Sequence, residues 1–281
     1  MSLQFIHWNP DPEFINIFGL SIRYYGLLFA IGLISSIYIL RRIFENEQIP
    51  REHLDKLIAY GMIGIIVGAR LGHCLFYEPQ YYLANPLEMF LPIAIYPDGS
   101  IEVVGYQGLA SHGGVIGLLL GAYFYSRKTK QSLISTFDYI AVAAGVCFGF
   151  IRLANFMNSE IIGIPTTKPW GVIFEKVDAQ PRHPAQLYEG IAYITIFIIM
   201  MVLYNRVRGK LDKGFLFGVG IILFFSARFL IEFIKESQVG FEDDLSYNMG
   251  QLLSLPFIVF GIWFIIRGFR NAATKKTSLD V

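Results

Sequence analysis

Long apolar blocks, separated by short polar connections, dominate this sequence. Seven of them approach or exceed the roughly 20 residues that a helix needs to cross a bilayer. They lie near 18–40, 57–77, 107–126, 134–156, 185–205, 214–236 and 249–268. The pattern therefore predicts an all-α integral membrane protein, a bundle of about seven transmembrane helices in a single polytopic domain, residues 1–281.

The composition supports the same class of protein. Hydrophobic residues make up 54% of the 281 residues and charged residues only 16%, whereas a soluble domain carries about a quarter charged residues. No basic residue precedes the first block, which is also too long and too aromatic for the core of a signal peptide. We therefore expect the first block to be kept as a helix.

Lysine and arginine divide the connections into two classes. The connections between blocks one and two, three and four, and five and six are rich in them, as is the tail near 268–281. The N-terminus before Arg23 and the 78–106 loop have none, and the 157–184 loop has three. Because basic loops stay cytoplasmic, the N-terminus is predicted outside, the C-terminus in the cytoplasm, and both long loops at the outer face.

Small residues and cysteines in the predicted spans indicate packing. Cys74 and Cys147 have no metal-ligand spacing around them, so we expect no metal or other cofactor; zinc held by outer-face histidines and Glu160 is the disfavoured alternative. Glycines that recur at fourth positions predict closely packed helices. They are Gly64, Gly68 and Gly72, then Gly113, Gly117 and Gly121, and then Gly145 and Gly149.

Ionisable and amide residues gather at the outer level of the predicted helices, and the inner halves hold almost none. Each would cost several kcal/mol in lipid unless it is paired or faces water. They are Arg23, Tyr25, Arg70, His73, His112, Arg152, Asn155, Asn158, Glu160, His183, Gln186, Tyr188, Glu189, Arg228, Glu232 and Gln251. Their common depth predicts a polar cavity that opens to the outer leaflet.

Individual members of this layer have simpler explanations. Arg228 and Glu232 are spaced i, i+4 and would neutralise each other on one helix face. Arg152 would snorkel, so that its charge reaches the lipid headgroups. His73 would be an interior residue whose hydrogen bonds are satisfied, and His183, which precedes Pro184, would only shape the start of a helix. Extension to the headgroups does not explain the amides and carboxylates at the same depth.

Three arginines inside the predicted spans, Arg70, Arg152 and Arg228, outnumber the carboxylate of Glu232. Guanidinium groups match phosphate oxygens in bidentate geometry and keep their charge at any working pH. A phospholipid headgroup is the natural anion at this depth. The residues therefore predict an outer-leaflet phosphate site, and they leave open whether the protein is an enzyme, a lipid transporter or a lipid-binding protein.

The stretch FGFIRLANFMNSEIIG (148–163) contains the pattern Gly-x-x-Arg-x-x-Asn-x-x-Asn-x-Glu-x-x-Gly from Gly149 to Gly163. In this pattern, the chain resembles the prolipoprotein diacylglyceryl transferase family. Further blocks similar to those of the family follow in the family's order over nearly the whole chain. They are IRYYGL (22–27), GARLG (68–72), SHGG (111–114), RHPAQLYE (182–189), ARFLIEF (227–233) and MGQLLS (249–254).

Three positions and one stretch depart from the family pattern. Ile164 stands where the family usually has an arginine, Ser111 where it has an aromatic residue, and Lys235 where an arginine is commoner. The approach to SHGG is lengthened by 96–105, in which Pro97-Asp98-Gly99 predicts a turn between short extended segments. These departures affect the expected shape of the outer loops.

The resemblance implies a bacterial enzyme of the cytoplasmic (inner) membrane. It would move the diacylglyceryl group of phosphatidylglycerol to the thiol of the lipobox cysteine in the signal peptide of a prolipoprotein. A thioether forms and glycerol phosphate leaves, which is the first step of lipoprotein maturation. The implied partners are phosphatidylglycerol, membrane lipid and the precursor, with no nucleic acid.

This chemistry suggests roles for the polar layer. Arg152 and Arg228 would stabilise charge on the departing phosphate. His112 would take the proton of the thiol, whose ordinary pKa is about 8.5; alternatively it orients the headgroup while Arg228 lowers the thiol pKa. With these two arginines, the expected phosphatidylglycerol-binding residues are Tyr25, Arg70, Asn155, Asn158, Glu160, Gly163, His183, Gln186, Tyr188 and Glu232.

Two other classes fit less well. A transporter with a midplane site should show internal repeats and discontinuous helices, and the sequence shows no sign of them. A hydrolase should show a nucleophile or a metal cluster, and none can be located in the sequence. In the favoured interpretation the lipid enters sideways between helices, and the outer loops cover this entrance.

Overall fold

The computed structural model describes residues 5–17, 20–96, 98–105, 108–236 and 247–279. In these ranges the chain is mostly helical, with short strands in the connections. The helices are α1 (Tyr24–Asn46), α2 (Arg51–Phe76), α3 (Pro79–Ala84), α4 (Pro86–Phe90), α5 (Ser111–Thr129), α6 (Leu133–Met157), α7 (Ala185–Val207), α8 (Phe215–Ile231) and α9 (Met249–Leu279). A 3-10 turn, Glu232–Ile234, follows α8.

Six helices in the described residues are long and apolar enough to cross a membrane: α1, α2, α6, α7, α8 with its 3-10 turn, and α9. The prediction of an all-α, multi-pass membrane protein is therefore confirmed. The third predicted span forms α5 but does not join this group, because it begins with Ser111 and His112 and ends with Arg127 and Lys128. A seventh span stays a prediction.

The chain divides into two compact units, Met1–Arg42 with Phe137–Val281, and Ile43–Thr136. In the second unit α2 and α5 run antiparallel with their glycines in contact. A Cβ atom on Gly68 would overlap the carbonyl oxygen of Gly113, and one on Gly117 would overlap that of Gly64. The predicted close packing is confirmed for this pair of helices.

The first unit packs α1, α6, α7, α8 and α9 by the same means. A Cβ atom on Gly145 of α6 would lie 2.7 Å from the carbonyl oxygen of Tyr193 on α7. One on Gly218 of α8 would lie 2.7 Å from the carbonyl oxygen of Gly261 on α9. Small residues let these backbones approach closely, as in other membrane bundles.

Asp138 near the start of α6 is a buried carboxylate inside a predicted span. Its two oxygens accept hydrogen bonds of 2.7 Å from the backbone N–H groups of Gly214 and Phe217. These N–H groups have no partner within α8 because they lie at its start. Asp138 therefore caps α8 from a neighbouring helix.

The connections carry seven strands in the described residues. β1 (Ile6–Trp8) pairs in parallel with β6 (Val172–Phe174), and β6 pairs antiparallel with β7 (Pro181–Arg182). β2 (Glu13–Ile17) and β3 (Leu20–Arg23) form a hairpin, as do β4 (Ile93–Ile95) and β5 (Ile101–Val103). The 157–184 loop is thus tied to the N-terminal strand.

Several predicted boundaries shift in the structure. The first span starts at Tyr24 rather than near 18, because the β2–β3 hairpin precedes it; residues 18–19 lie outside the described residues. Asp98 and Gly99 form the expected turn, closed by the N–H of Gly99 on the carbonyl oxygen of Tyr96, and Pro97 lies outside the described residues. The tail predicted near 268–281 continues α9 as far as it is described.

Candidate functional site

Arg152 lies near the C-terminal end of α6 and faces a carboxylate of α7. Its Nε lies 2.8 Å from Oε2 of Glu189, whose side chain is fully buried. Its Nη1 donates a 3.0 Å hydrogen bond to Oδ1 of Asn155, and its Cζ lies 5.9 Å from the ring centroid of Tyr193. Tyr25, at the start of α1, lies within electrostatic reach of Arg152.

Arg152 and Glu189 form a close ion pair, but their atoms are not aligned for a hydrogen bond. Nε of Arg152 and both carboxylate oxygens of Glu189 have no hydrogen-bond partner among the described residues. The side chain of Arg152 is only 14% exposed. The positive charge is therefore compensated by a buried partner within the helix bundle.

Lys235 joins this pair to a second carboxylate. Its buried Nζ lies 3.6 Å from Oε1 of Glu189 and 3.1 Å from Oε2 of Glu232. Arg152, Glu189, Lys235 and Glu232 thus alternate in charge, and we call them the buried charge network. Each charge compensates its neighbours, which the high cost of an isolated charge in lipid requires.

The loop after α6 is pinned by amide hydrogen bonds around Glu160. Asn155 and Asn158 each donate a 3.0 Å hydrogen bond from Nδ2 to its carboxylate. Gln186 at the start of α7 donates from Nε2 to its backbone oxygen at 2.5 Å. These bonds hold a loop in which Ile161 has φ of 57°, a conformation that β-branched residues rarely adopt.

Arg228 stands in the last turn of α8 in a different environment. It is partly exposed, and its side chain has no hydrogen bond or ion pair with the rest of the described chain. Glu232 pairs with Lys235 instead, so the alternative in which Arg228 and Glu232 neutralise each other is wrong. Tyr193 interacts electrostatically with both Arg228 and Arg152. The two arginines therefore lie near the same tyrosine side chain.

Gly163 has a backbone role. Its N–H donates to the carbonyl oxygen of His183 at 2.9 Å, and it pairs as a β-bridge with Lys235. A Cβ atom there would lie 2.6 Å from that of His183 and 2.7 Å from the carbonyl oxygen of Ile234. Glycine at this position thus lets the segment that carries Lys235 approach the segment after α6.

Arg182 fixes the same connection from its other side. It donates from Nε and Nη2 to Asp178 and from Nη1 to the backbone oxygen of Gly163, and Nη1 lies 2.9 Å from Oε1 of Glu236. These hydrogen bonds lower the pKa of the Asp178 carboxyl and raise that of Arg182. Ile164, next to Gly163, is 40% exposed.

His183 and Tyr188 form a separate cluster with Trp170. Trp170 donates from Nε1 to the hydroxyl of Tyr188 at 2.7 Å, and this hydroxyl lies 3.1 Å from Nδ1 of His183. Partial burial, helped by Lys168, lowers the pKa of His183. On α7, Tyr188 points about 100° away from Glu189, so this cluster lies on another face of the helix.

The second unit holds Arg70. This buried side chain donates from Nε to the backbone oxygen of Met89 at 3.2 Å and from Nη2 to that of Glu88 at 2.6 Å. Its Cζ lies 4.7 Å above the ring of Tyr82. Arg70 thereby ties the 78–106 loop to α2.

Two histidines of this unit, His73 and His112, differ in their surroundings. The ring of His73 stacks on Tyr77, and its Nε2 lies 3.6 Å from Oε1 of Glu78. A Cβ atom on Gly108 would overlap the His73 ring. His112 is exposed at the second position of α5, next to the buried Gly113.

Three residues beside Arg152 in the structure were not among the predicted site residues: Glu189, which the sequence placed only in the outer polar layer, Tyr193 and Lys235. Glu189 carried a usable signal, because a carboxylate inside a predicted span requires a cation nearby. Lys235 was noted only as a departure from the family pattern. The pairing of Glu189 with both cations depends on which helices are neighbours, which the sequence pattern does not give.

Comparison with known proteins shows which family this chain belongs to. The model of the family described as prolipoprotein diacylglyceryl transferase matches residues 12–267. Relatives named phosphatidylglycerol–prolipoprotein diacylglyceryl transferase include one from Bacteroides fragilis, 50% identical over 260 residues that cover 92% of this chain and 94% of the relative. Another, from Chloroherpeton thalassium, is 42% identical over 276 residues and 98% of each chain.

Proposed function

Because this chain belongs to the prolipoprotein diacylglyceryl transferase family, we propose that it transfers the diacylglyceryl group of phosphatidylglycerol to the lipobox cysteine of a prolipoprotein. The observation that carries this proposal is the 50% identity to a relative so named over 92% of the chain. The reaction would be the first step of lipoprotein maturation. It makes the protein a transferase that acts on a lipid and a precursor in the membrane.

In the proposed reaction a thiolate sulfur attacks the glyceryl carbon next to the phosphate. The carbon–sulfur bond forms as the carbon–oxygen bond breaks, and the electron pair leaves on the phosphate oxygen of glycerol phosphate. Arg228 suits this departing charge, since its guanidinium has no ion-pair partner in the described part of the chain. Fixed cations in a low-dielectric site stabilise developing charge more strongly than they do in water.

Arg152 has a second role in the proposal. Glu189 and Asn155 hold its guanidinium in one orientation. The side chain is therefore preorganised and does not have to reorient when the substrate binds. Asn158, Glu160 and Gln186 support the loop beside it. Tyr25 and the amides would bind the hydroxyl groups of the glycerol headgroup.

His112 is proposed to accept the proton of the thiol, because histidine titrates close to neutral pH. Its exposed position at the start of α5 leaves the imidazole accessible. In the alternative role it orients the headgroup, and Arg228 lowers the thiol pKa. The pH dependence of transfer by His112→Gln separates the two roles. If His112 is the base, its loss should lower the rate near neutral pH and move the rise toward the ordinary thiol pKa of about 8.5, whereas loss of a headgroup contact should raise the KM for the lipid and leave the pH profile in place.

We also propose that α5 is the seventh span, that the N-terminus lies outside and the C-terminus in the cytoplasm, and that the site faces the outer leaflet of the inner membrane. The distribution of lysine and arginine between alternate connections supports this orientation. The apolar character of α5 between its polar first turn and its basic last turn is compatible with it.

The test is a transfer assay with the purified full chain, phosphatidylglycerol micelles and a synthetic lipobox peptide. We expect a thioether product, detected by mass spectrometry, and stoichiometric glycerol phosphate. A peptide with serine in place of the cysteine, and micelles of phosphatidylcholine, serve as controls. Movement of the lipid between leaflets without any thioether would favour a transporter and refute the transferase.

A further inference from the structure

A cavity of about 220 Å³ lies between the end of α8 and the start of α9. Its lining is mostly apolar, with one amide and one tyrosine: Phe229, Tyr247, Gln251, Leu252 and Leu255. The two leucines are 42% and 48% exposed, so the cavity opens at the lipid-facing surface of these two helices. It is smaller than the about 300–1,000 Å³ of a typical ligand pocket, and therefore fits a section of a chain molecule rather than a whole lipid.

Gln251 is only partly explained by its place in the helix. Asn248 precedes the first residue of α9, and its Oδ1 accepts the N–H of Gln251 at 3.0 Å. In return, Oε1 of Gln251 accepts the N–H of Asn248 at 3.2 Å. This reciprocal arrangement is a capping box, and it uses only the oxygen of the Gln251 amide.

The nitrogen of the same amide has no such use. Gln251 is 3% exposed, and its buried Nε2 has no acceptor among residues 5–17, 20–96, 98–105, 108–236 and 247–279. A buried donor without a partner carries the full desolvation penalty of that group. The donor therefore points to an acceptor that the described chain does not supply.

The position of the cavity relates it to the proposed site. Phe229 in its wall directly follows Arg228, and Asn248 donates from Nδ2 to the backbone oxygen of Glu232 at 3.4 Å. A Cβ atom on Gly250 would lie 2.5 Å from the carboxyl carbon of Glu232. The start of α9, which carries Gln251, thus contacts Glu232 of the buried charge network, and Phe229 of the cavity wall lies in the same helical turn as the partly exposed Arg228.

We propose that this cavity is an acyl-chain subsite, in which Nε2 of Gln251 donates a hydrogen bond to an ester carbonyl of the diacylglyceryl group. An ester is neutral, accepts hydrogen bonds and continues into an apolar chain, which matches an unpartnered amide donor beside a mostly apolar cavity. The phosphate of the same lipid would be bound by Arg228. The inference rests on the proposed transfer activity and names the part of the lipid that the α8–α9 wall recognises.

The first test compares phosphatidylglycerol with its ether-linked analogue, which lacks the carbonyl acceptors. Transfer is measured in mixed micelles at varied mole fraction of lipid. We expect kcat/KM of the wild-type protein to be about tenfold higher for the ester lipid, as one hydrogen bond would give. Gln251→Leu should reduce this ratio to about one, mainly through the KM of the ester lipid.

Gln251→Glu is the conservative variant for the same comparison. It keeps an acceptor oxygen for the capping box, which favours Glu at this position, but its carboxylate has no N–H donor. We expect it to lose the ester preference as Gln251→Leu does. The ratio is taken within one protein, so a smaller folded fraction cancels; an ester preference that persists in both variants overturns the subsite.

The second test fills the cavity. Leu252→Trp and Leu255→Trp should raise the KM for long-chain phosphatidylglycerol at least about fivefold and leave the KM for a dihexanoyl lipid within twofold. Leu253→Trp is the matched control, because Leu253 lies on the same helix, is 50% exposed and does not line the cavity. It should leave both KM values unchanged.

The outcomes separate the two proposals. A wild-type protein that forms no thioether refutes the transferase itself. Thioether formation with equal effects of the three tryptophans on long and short lipids refutes only the subsite. A rise in the KM for the peptide, with none for the lipid, would assign the cavity to the signal peptide instead.

Discussion

Arg152 and Arg228 carry the same guanidinium group in two different environments. Arg152 is paired with the buried Glu189 and hydrogen bonded to Asn155. Arg228 is partly exposed and has no ion pair within the described ranges. The first is therefore coupled to the stability of the bundle, whereas the second is available for a ligand.

This difference gives a prediction for the two alanine variants. Arg228→Ala should lower the transfer rate about 10²–10³-fold, as the loss of one electrostatic group does, and should leave the melting temperature nearly unchanged. Arg152→Ala should lower both, because it leaves Glu189 without a partner on one side. Rates come from the thioether assay and melting temperatures from thermal unfolding in detergent. Equal thermal destabilisation by the two variants would contradict this interpretation.

Glu189 is the residue on which the buried charge network depends, since it lies between Arg152 and Lys235. Glu189→Gln keeps the volume and removes the charge. Breaking a buried ion pair costs about 3–5 kcal/mol, so we expect a large fall in thermal stability and in transfer. Glu175→Gln is the control, because Glu175 is 41% exposed in a surface pair with His7. A melting temperature equal to that of the control would show that the network does not stabilise the fold.

At the scale of the element, α2 and α5 are held by backbone contact between glycines. Gly68→Ala places a Cβ atom onto the carbonyl oxygen of Gly113, and we expect the two helices to separate and the protein to be destabilised by about 1–3 kcal/mol, as overpacking does. Gly26→Ala in α1 is the matched control, since nothing lies within 4 Å of that position. It should be neutral or slightly stabilising in thermal unfolding; destabilisation equal to that of Gly68→Ala would show that helix propensity, not close contact, sets the effect.

The start of α8 depends on a side chain from α6. Asp138→Asn keeps one acceptor oxygen and loses the other, so one N–H of Gly214 or Phe217 remains unbonded. Loss of a cap costs about 0.5–2 kcal/mol, which thermal unfolding should detect. The KM for lipid should not change, because Asp138 lies near the opposite end of α6 from Arg152. Asp55→Asn at an exposed position of α2 is the control, and a lipid KM that rises in Asp138→Asn would contradict a purely structural cap.

At the scale of the whole molecule, the count of spans and the orientation of the termini are linked. Six spans place both termini on one side of the membrane, and seven place them on opposite sides. We predict that a green fluorescent protein fused to the C-terminus is fluorescent in the cytoplasm, and that a protease added outside the membrane cleaves a tag at the N-terminus. A tag protected from that protease would remove α5 from the set of spans.

Much of the fold followed from local pattern. Six predicted spans coincide with helices because an apolar block long enough to cross a bilayer must satisfy its backbone groups internally. The boundaries at α1 and α8 were less accurate, since a hairpin and a 3-10 turn replace the first and last turns of the predicted helices. Those details depend on hydrogen bonds with other segments.

The sequence identified several residues that the structure brings together, but it did not predict which of them pair. Arg152, Asn155 and Glu160 were identified from their spacing, and the structure connects them by hydrogen bonds. A substrate contact of Gly163 stays a prediction; in the structure this glycine lies against the backbone of His183 and Ile234. The spacing of residues along a helix predicts which face they share, whereas it does not identify the neighbouring helix.

The sequence by itself determined that this chain crosses a membrane repeatedly, which orientation is expected, and which family it resembles, because hydrophobic length, charge distribution and motif spacing are local properties. Only the tertiary structure decided that Glu189 compensates Arg152 and Lys235, that Arg228 is left without an ion pair in the described residues, and that Gln251 lines a cavity. Electrostatic and packing energies depend on distances between segments remote in sequence, and those distances exist only once the helices have packed.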